Sequence, residues 1–303
     1  MIPIPKYPEF RPIQLEDRQR FEGIFKAMQP EISEYNFTNL FMFRHVHEYR
    51  ISELNGNIAI LAKSYSGRHY FLPPLGENMV PETIDAMIEH LKCQGCDQKV
   101  AIASREFIDK YIKDSTKYAF EYDEDNADYV YSASDLATLP GRKFHDKKNF
   151  LNRFLKSYPN HEYRRLTAEL IPQAKELVVR WCQEKCSLEV PSTVGETEAT
   201  LYALDNMDNL SSIGGTVLVN GKVEALAIGE PLNDHTAVVH VEKANSEFSG
   251  LYQFMASEFI AQEFKGYEFV NREQDLGEPN LRKSKLSYNP VKMVEKYTIR
   301  PKN

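Results

Sequence analysis

Apolar and polar residues alternate on both sides of two Asn-Gly pairs. Arg50-Ile51-Ser52-Glu53-Leu54 runs into Asn55-Gly56 and leaves through Asn57-Ile58-Ala59-Ile60-Leu61-Ala62. Thr216-Val217-Leu218-Val219 runs into Asn220-Gly221 and leaves through Lys222-Val223-Glu224-Ala225-Leu226-Ala227-Ile228. A period of two marks strands, and Asn-Gly between them predicts a two-residue hairpin turn, because both turn residues need φ > 0. Each hairpin is followed by the same order of patterns: a third strand (68–72 and 236–242), a helix (82–92 and 251–264) and a further strand (99–103 and 267–271). The last strand starts 44 residues after the first turn and 47 after the second. That shared order predicts a duplicated unit.

Outside the repeats, apolar residues at helical spacing predict a helix over 15–28, ending at Pro30, and an aromatic-rich helix from 33 to about 47. An acidic stretch, Asp123-Glu124-Asp125-Asn126, falls between the repeats, and Leu139-Pro140-Gly141 closes the link. The domain boundary is expected between about 124 and 140, giving an N-terminal domain over 1–132 and a C-terminal domain, with the active site, over 133–303. The second half opens with an amphipathic helix over 141–155. A strand (162–166), a helix (171–186, Pro172 in its first turn), a helix near 196–208 and a last strand (293–299) complete it. Strands and helices in this order predict an α/β or α+β fold with largely antiparallel sheets.

Composition narrows the partners. The 303 residues suffice for two domains, and 42% hydrophobic with 27% charged residues is the balance of a soluble globular chain. No apolar run approaches the roughly 20 residues of a membrane helix. Met1-Ile2-Pro3-Ile4-Pro5-Lys6 lacks the apolar stretch of a secretory signal, so a cytoplasmic location is the expectation. A net charge of −7 argues against sequence-blind nucleic-acid binding and leaves room for a local basic patch. Arg142, Lys143, Lys147, Lys148 and Arg153 form such a patch on the amphipathic helix, read either as a solvated face or as a phosphate or RNA contact. The cysteine pairs Cys93/Cys96 and Cys182/Cys186 have ligand-like spacing, but no nearby histidine completes a set. They are expected to be unpaired thiols, His45 and His47 to be packing or surface residues, and no metal is predicted. No P-loop, dinucleotide fingerprint or Gly-x-Ser-x-Gly motif is present.

The repeated order resembles the GNAT acyltransferase fold, and two in tandem resemble the double-GNAT proteins, among them the Fem peptidoglycan-bridge transferases and the catalytic domain of phosphatidylglycerol lysyltransferase. Three segments carry a closer resemblance to a soluble, uncharacterised branch of the lysyltransferase C-terminal family (DUF2156). They are the basic helix with Gly141-Arg142-Lys143-Phe144-His145 and Lys147-Lys148-Asn149-Phe150, the junction Val241-Glu242-Lys243-Ala244 with Gly250-Leu251-Tyr252-Gln253, and a C-terminal signature. That signature is Asn271-Arg272-Glu273-Gln274-Asp275-Leu276-Gly277 with Leu281-Arg282-Lys283-Ser284-Lys285 and Ser287-Tyr288-x-Pro290. Membrane-bound lysyltransferases carry a helical membrane domain ahead of this module. None stands in this sequence, so the expected acceptor is soluble or reached peripherally.

The resemblance implies acyl transfer to an amine or hydroxyl, with a donor held where two strands splay and where the loop before the central helix offers backbone N–H groups. That loop, residues 244–250, holds one glycine and the acidic Glu247. A carboxylate facing a pyrophosphate costs on the order of 1 kcal/mol even near the surface. The expected donor is therefore aminoacyl-tRNA rather than acyl-CoA, with no tightly bound cofactor. Glu242, Arg272, Glu273, Asp275 and Tyr288 are the catalytic candidates. Glu242 stands as general base, as a holder of an ammonium group or as an exposed strand-end glutamate. Glu273 and Asp275 join it at one sheet edge or in a structural ion-pair network. Arg142, Lys143, Lys147, Lys148, Arg282 and Lys285 are candidate contacts to phosphate or the acceptor arm of tRNA, and Asn245, Gly250 and Tyr252 to the donor. Two rival functions remain: an acyl-CoA-dependent N-acyltransferase, and a non-catalytic module binding a small amine or RNA.

Overall fold

The computed structural model describes residues 2–186 and 190–302. Both Asn-Gly pairs form the expected turns, with φ of 52° and 79° at Asn55 and Gly56 and the same values at Asn220 and Gly221. Each hairpin lies within one of two seven-stranded mixed sheets. In spatial order the first contains Arg11–Pro12, Arg50–Leu54, Asn57–Lys63, His69–Phe71, Val100–Ser104, Lys296–Pro301 and Tyr118–Tyr122. The second contains Lys292–Val294, Asp128–Ser132, Phe269–Asn271, Thr236–Ala244, Lys222–Pro231, Ile213–Val219 and His161–Arg165. Each sheet has one parallel junction, His69–Phe71 with Val100–Ser104 and Thr236–Ala244 with Phe269–Asn271. Parallel neighbours need a crossover, and the helices Val80–Cys93 and Leu251–Glu263 supply it.

The chain exchanges strands between the sheets. Asp128–Ser132 leaves the first half to pair with Phe269–Asn271 and Lys292–Val294 in the second sheet. The C-terminal strand Lys296–Pro301 returns to pair between Val100–Ser104 and Tyr118–Tyr122 in the first. Two fully buried residues begin these crossing strands, and the Lys296 ammonium donates to Asp128 at 2.6 Å. Asp128 also accepts from the Ser33 backbone N–H and hydroxyl and from the Asn271 amide. Glu34 meets the same ammonium at 2.6 Å.

Three apolar cores result. One lies between the first sheet and helix Val80–Cys93 (Leu61, Phe71, Ile84, Met87, Val100, Ile108) and another between the second sheet and helix Leu251–Glu263 (Val217, Ala227, Val239, Met255, Phe259). The largest is shared by both halves and joins Phe21, Phe41, Ile51 and Ile60 to Leu177, Leu204, Leu226 and Val241. The aromatic helix expected over 33–47 is shorter, spanning Phe37–Met42, with the Asn36 carboxamide oxygen accepting from the Asn39 N–H at its start. All six residues are buried in the shared core, so the aromatic run reflects packing on every side rather than a long stripe. The last strand expected over 293–299 is two strands, one in each sheet. One thiol expectation is corrected as well. Cys182 and Cys186 form a disulfide across the C-terminal end of Ile171–Lys185, with their Cα atoms 4.7 Å apart, inside the range a disulfide spans. Cys93 and Cys96 are free. Among the described residues no helix is long and apolar enough to cross a membrane.

Candidate functional site at the parted strands

The long strand Thr236–Ala244 follows its parallel neighbour only as far as the pairing of Val238 with Asn271. Two features then drive the strands apart. A bulge makes His240 an extra residue, since Gly229 pairs with Val239 while Ile228 pairs with Val241. Val239 accordingly packs in the core under the central helix and Val241 in the shared core. A bulge of this kind bends one strand and re-aims the side chains beyond it. On the neighbouring strand, Glu273 takes a left-handed φ of 57°, which ends the extended run directly after Arg272.

Two charged pairs bridge the gap. The Arg272 Nη2 donates to Glu242 at 2.9 Å, and its guanidinium carbon lies 4.9 Å from the Tyr288 ring centre and 5.7 Å from that of Tyr131. The Lys147 ammonium, from the basic helix His145–Ser157, stands 4.3 Å from the same Tyr288 ring. Burial and nearby Arg272 lower its pKa. Burial also pushes the Tyr288 phenol up to about 12, so it carries its proton at neutral pH. The Arg272 Nη1 is buried and has no hydrogen-bond partner among the described residues. An unpaired buried donor costs roughly 1–3 kcal/mol, a cost that a bound acceptor would remove.

In the second pair Glu273 was a sequence candidate, but its partner His240 was missed. His240, wholly enclosed, bonds Glu273 through Nδ1 at 2.8 Å and Glu230 through Nε2 at 3.0 Å. Burial disfavours the imidazolium, yet the two carboxylates outweigh it and hold the pKa up at about 9. Glu273 also accepts from the Asn39 amide, which ties the site to the first half. Lys243 is also buried, donating to Glu196 at 2.9 Å with its ammonium 3.5 Å from the centre of the Trp181 ring. A single titratable residue inside the apolar run Ala237-Val238-Val239-His240-Val241 was the available signal for His240.

Glu242, Arg272, Tyr288 and Lys147 are brought together. The three carboxylates take three different partners: Glu242 has Arg272, Glu273 has His240, and Asp275 has Arg282 (2.8 Å) with the Tyr129 hydroxyl (2.5 Å). Arg282 also binds Asp125. Lys285 gives its ammonium to backbone carbonyls. Arg142, Lys143 and Lys148 are exposed on the basic helix and the turn before it, and Lys143 pairs with Asp135 at 2.6 Å. Tyr252 accepts from the Trp181 indole N–H at 2.7 Å, and Asn245 donates to Glu224.

The loop before the central helix is already paired in part. The N–H groups of Asn245, Phe248 and Leu251 pair with backbone carbonyls, and that of Glu247 pairs with the Asn245 side chain. Gly250, at φ 91°, lies under the basic helix, where a Cβ would fall 2.0 Å from the Phe150 carbonyl oxygen.

Comparison with known proteins agrees with this architecture. Residues 25–300 match the family model described as phosphatidylglycerol lysyltransferase, C-terminal. A conserved protein of unknown function from Bacteroides thetaiotaomicron VPI-5482 is 31% identical, with 97% of this chain and 99% of that one covered and a TM-score of 0.87. The L-PGS structure from Bacillus licheniformis is 16% identical, covering 100% and 95%, with a TM-score of 0.63. FemX is 10% identical, covering 96% of each chain, with a TM-score of 0.57, and shares the tandem GNAT-like fold. Among curated proteins, an uncharacterised protein from Mycoplasmoides gallisepticum is 23% identical over 179 residues, 58% of this chain, and the chain spans 57% of that relative's length. With two GNAT-like halves and a family match over nearly its whole length, the chain belongs to the phosphatidylglycerol lysyltransferase C-terminal family.

Proposed function

We propose that this protein transfers an aminoacyl group from aminoacyl-tRNA to an amine or hydroxyl acceptor in the gap between Thr236–Ala244 and Phe269–Asn271. The observation that carries the reading is the Glu242–Arg272 pair bridging that gap with the buried Arg272 Nη1 left unpartnered among the described residues. In this reading Glu242 takes the proton from the attacking nitrogen or oxygen. The free Nη1 of Arg272 donates to the ester carbonyl oxygen as negative charge develops there. The bond from the carbonyl carbon to the ribose oxygen breaks, and Tyr288 returns a proton to that leaving oxygen. Lys147 and the exposed Arg142, Lys143 and Lys148 lie on the side where the nucleic-acid phosphates approach.

Family membership supports an aminoacyl donor. So does the loop before the central helix, where the N–H groups of Asn245, Glu247 and Phe248 are already paired and Glu247 places a carboxylate against the pyrophosphate of acyl-CoA. The test is label transfer from bulk tRNA charged with radiolabelled amino acids, in the presence of a small-molecule cell extract. Wild type is expected to move label to a new species. Glu242→Gln and Arg272→Met are expected to lower the rate by about 10²–10³, the range for removing one general base or one oxyanion donor. Equal transfer by either variant would overturn the site. Saturable binding of acetyl-CoA by calorimetry would overturn the donor.

A further inference from the structure

We infer that Lys285 is a positioning residue for both bridging pairs, holding Arg272 and Glu273 in place through their backbone. This deepens the transfer reading and rests on it for its kinetic readout. After the second parted strand ends, the carbonyls of Arg272, Glu273 and Gln274 converge on the Lys285 ammonium. They accept its three protons at 2.6, 3.0 and 2.5 Å. A lysine ammonium has three donors, so this one has none left for a phosphate.

The turn it closes is conformationally demanding. Glu273 and Leu276 both have left-handed φ, at 57° and 54°, which non-glycine residues rarely adopt unless the surroundings impose it. Three carbonyl dipoles aimed at one point repel each other unless a cation sits there, and Lys285 is that cation. The left-handed Glu273 divides the two bridges, with Arg272 turned to Glu242 and Glu273 turned to His240. Loss of the ammonium therefore releases both pairs together. Lys285 is itself anchored, since the helix Pro279–Leu286 carries it and the Tyr131 hydroxyl donates to its carbonyl at 2.9 Å.

Several charged groups face the ammonium. Glu273 and Arg272 flank it on the turn, Asp128 faces it from the second-sheet strand, and Glu196 from the helix Pro191–Asp205. The Tyr129 ring centre lies 5.7 Å away. Burial lowers the pKa to about 8, with Arg272 adding to the shift and the carboxylates opposing it. The clamp is thus present below about pH 8 and lost above it.

The experiment compares wild type, Lys285→Met and Lys285→Arg, each checked for folding by circular dichroism. Side-chain NMR signals of Arg272 and His240 are recorded alongside label transfer over pH 6–9.5. Folded Lys285→Met is expected to shift both sets of signals and to lower kcat at least tenfold, with KM changed less than threefold. In wild type kcat falls above about pH 8, and in Lys285→Arg the fall moves up to about pH 9, where His240 loses its proton, because guanidinium stays charged. Should Lys285→Met not fold, the arginine variant decides by its pH profile. Unmoved signals with unchanged kcat in folded Lys285→Met, or the same pH midpoint in Lys285→Arg, overturn the proposal. A lysine with only a structural role moves the melting temperature alone. If wild type transfers no label, the functional reading fails while the NMR signals still decide the role of Lys285.

Discussion

Individual buried charges set how this protein responds to pH. Burial raises the Glu34 pKa to about 7, and two carboxylates raise that of His240 to about 9 against its own burial. A raised native pKa means that the folded state binds more protons than the unfolded one. Stability from such a group is complete below the unfolded pKa and disappears as pH rises through the folded value. Glu34 covers the window from about 4.5 to 7 and His240 the window from about 6.5 to 9. Urea denaturation across pH 5–8, below the range where the lowered Lys285 pKa acts in the opposite sense, is therefore expected to show stability falling with pH. Glu34→Gln should flatten the lower part of that slope and His240→Gln the upper part. A slope unaltered in both variants would show that these groups do not titrate as described.

At the scale of elements, the basic helix His145–Ser157 acts as a cover. Phe144 in the turn before it and Phe154 on its face pack into the core beside the central helix, and its backbone closes over Gly250. Gly250→Ala meets both a clash and an unfavourable φ, and a loss of roughly 2–4 kcal/mol is expected, measured by urea denaturation. A loss below about 0.5 kcal/mol would mean that the helix does not sit against the loop. Patterning alone revealed this helix, the hairpins and both crossover helices, because period-two and helical spacing are local properties. It did not reveal the bulge at His240. A one-residue register slip leaves no trace in composition and depends on what the partner strand presents.

For the whole molecule, each sheet is completed by a strand from the other side of the chain, and the largest core belongs to both halves. The two halves are expected to unfold as one cooperative unit. Residues 1–132 expressed alone lack the strand that lies between Val100–Ser104 and Tyr118–Tyr122, and their shared core loses its opposite wall. Calorimetry of the full chain should give a single transition. The isolated half should show no cooperative melting, while co-expression with residues 133–303 restores it. Two separate transitions, or a stably folded isolated half, would contradict this.

The sequence by itself determined the duplicated order, the two hairpin turns, the basic helix and the carboxylate-rich segments, because each is written in neighbouring residues. Glu242, Arg272 and Tyr288 were legible as candidates through the family motifs. Only the tertiary structure decided that Arg272 faces Glu242, that Asp275 is held by Arg282 and that Lys285 serves carbonyls rather than phosphate. It alone brought His240 between Glu230 and Glu273 and returned the last strand to the first sheet. These pairings join residues far apart in sequence. They are selected by which charges burial forces together, and no local pattern records that choice.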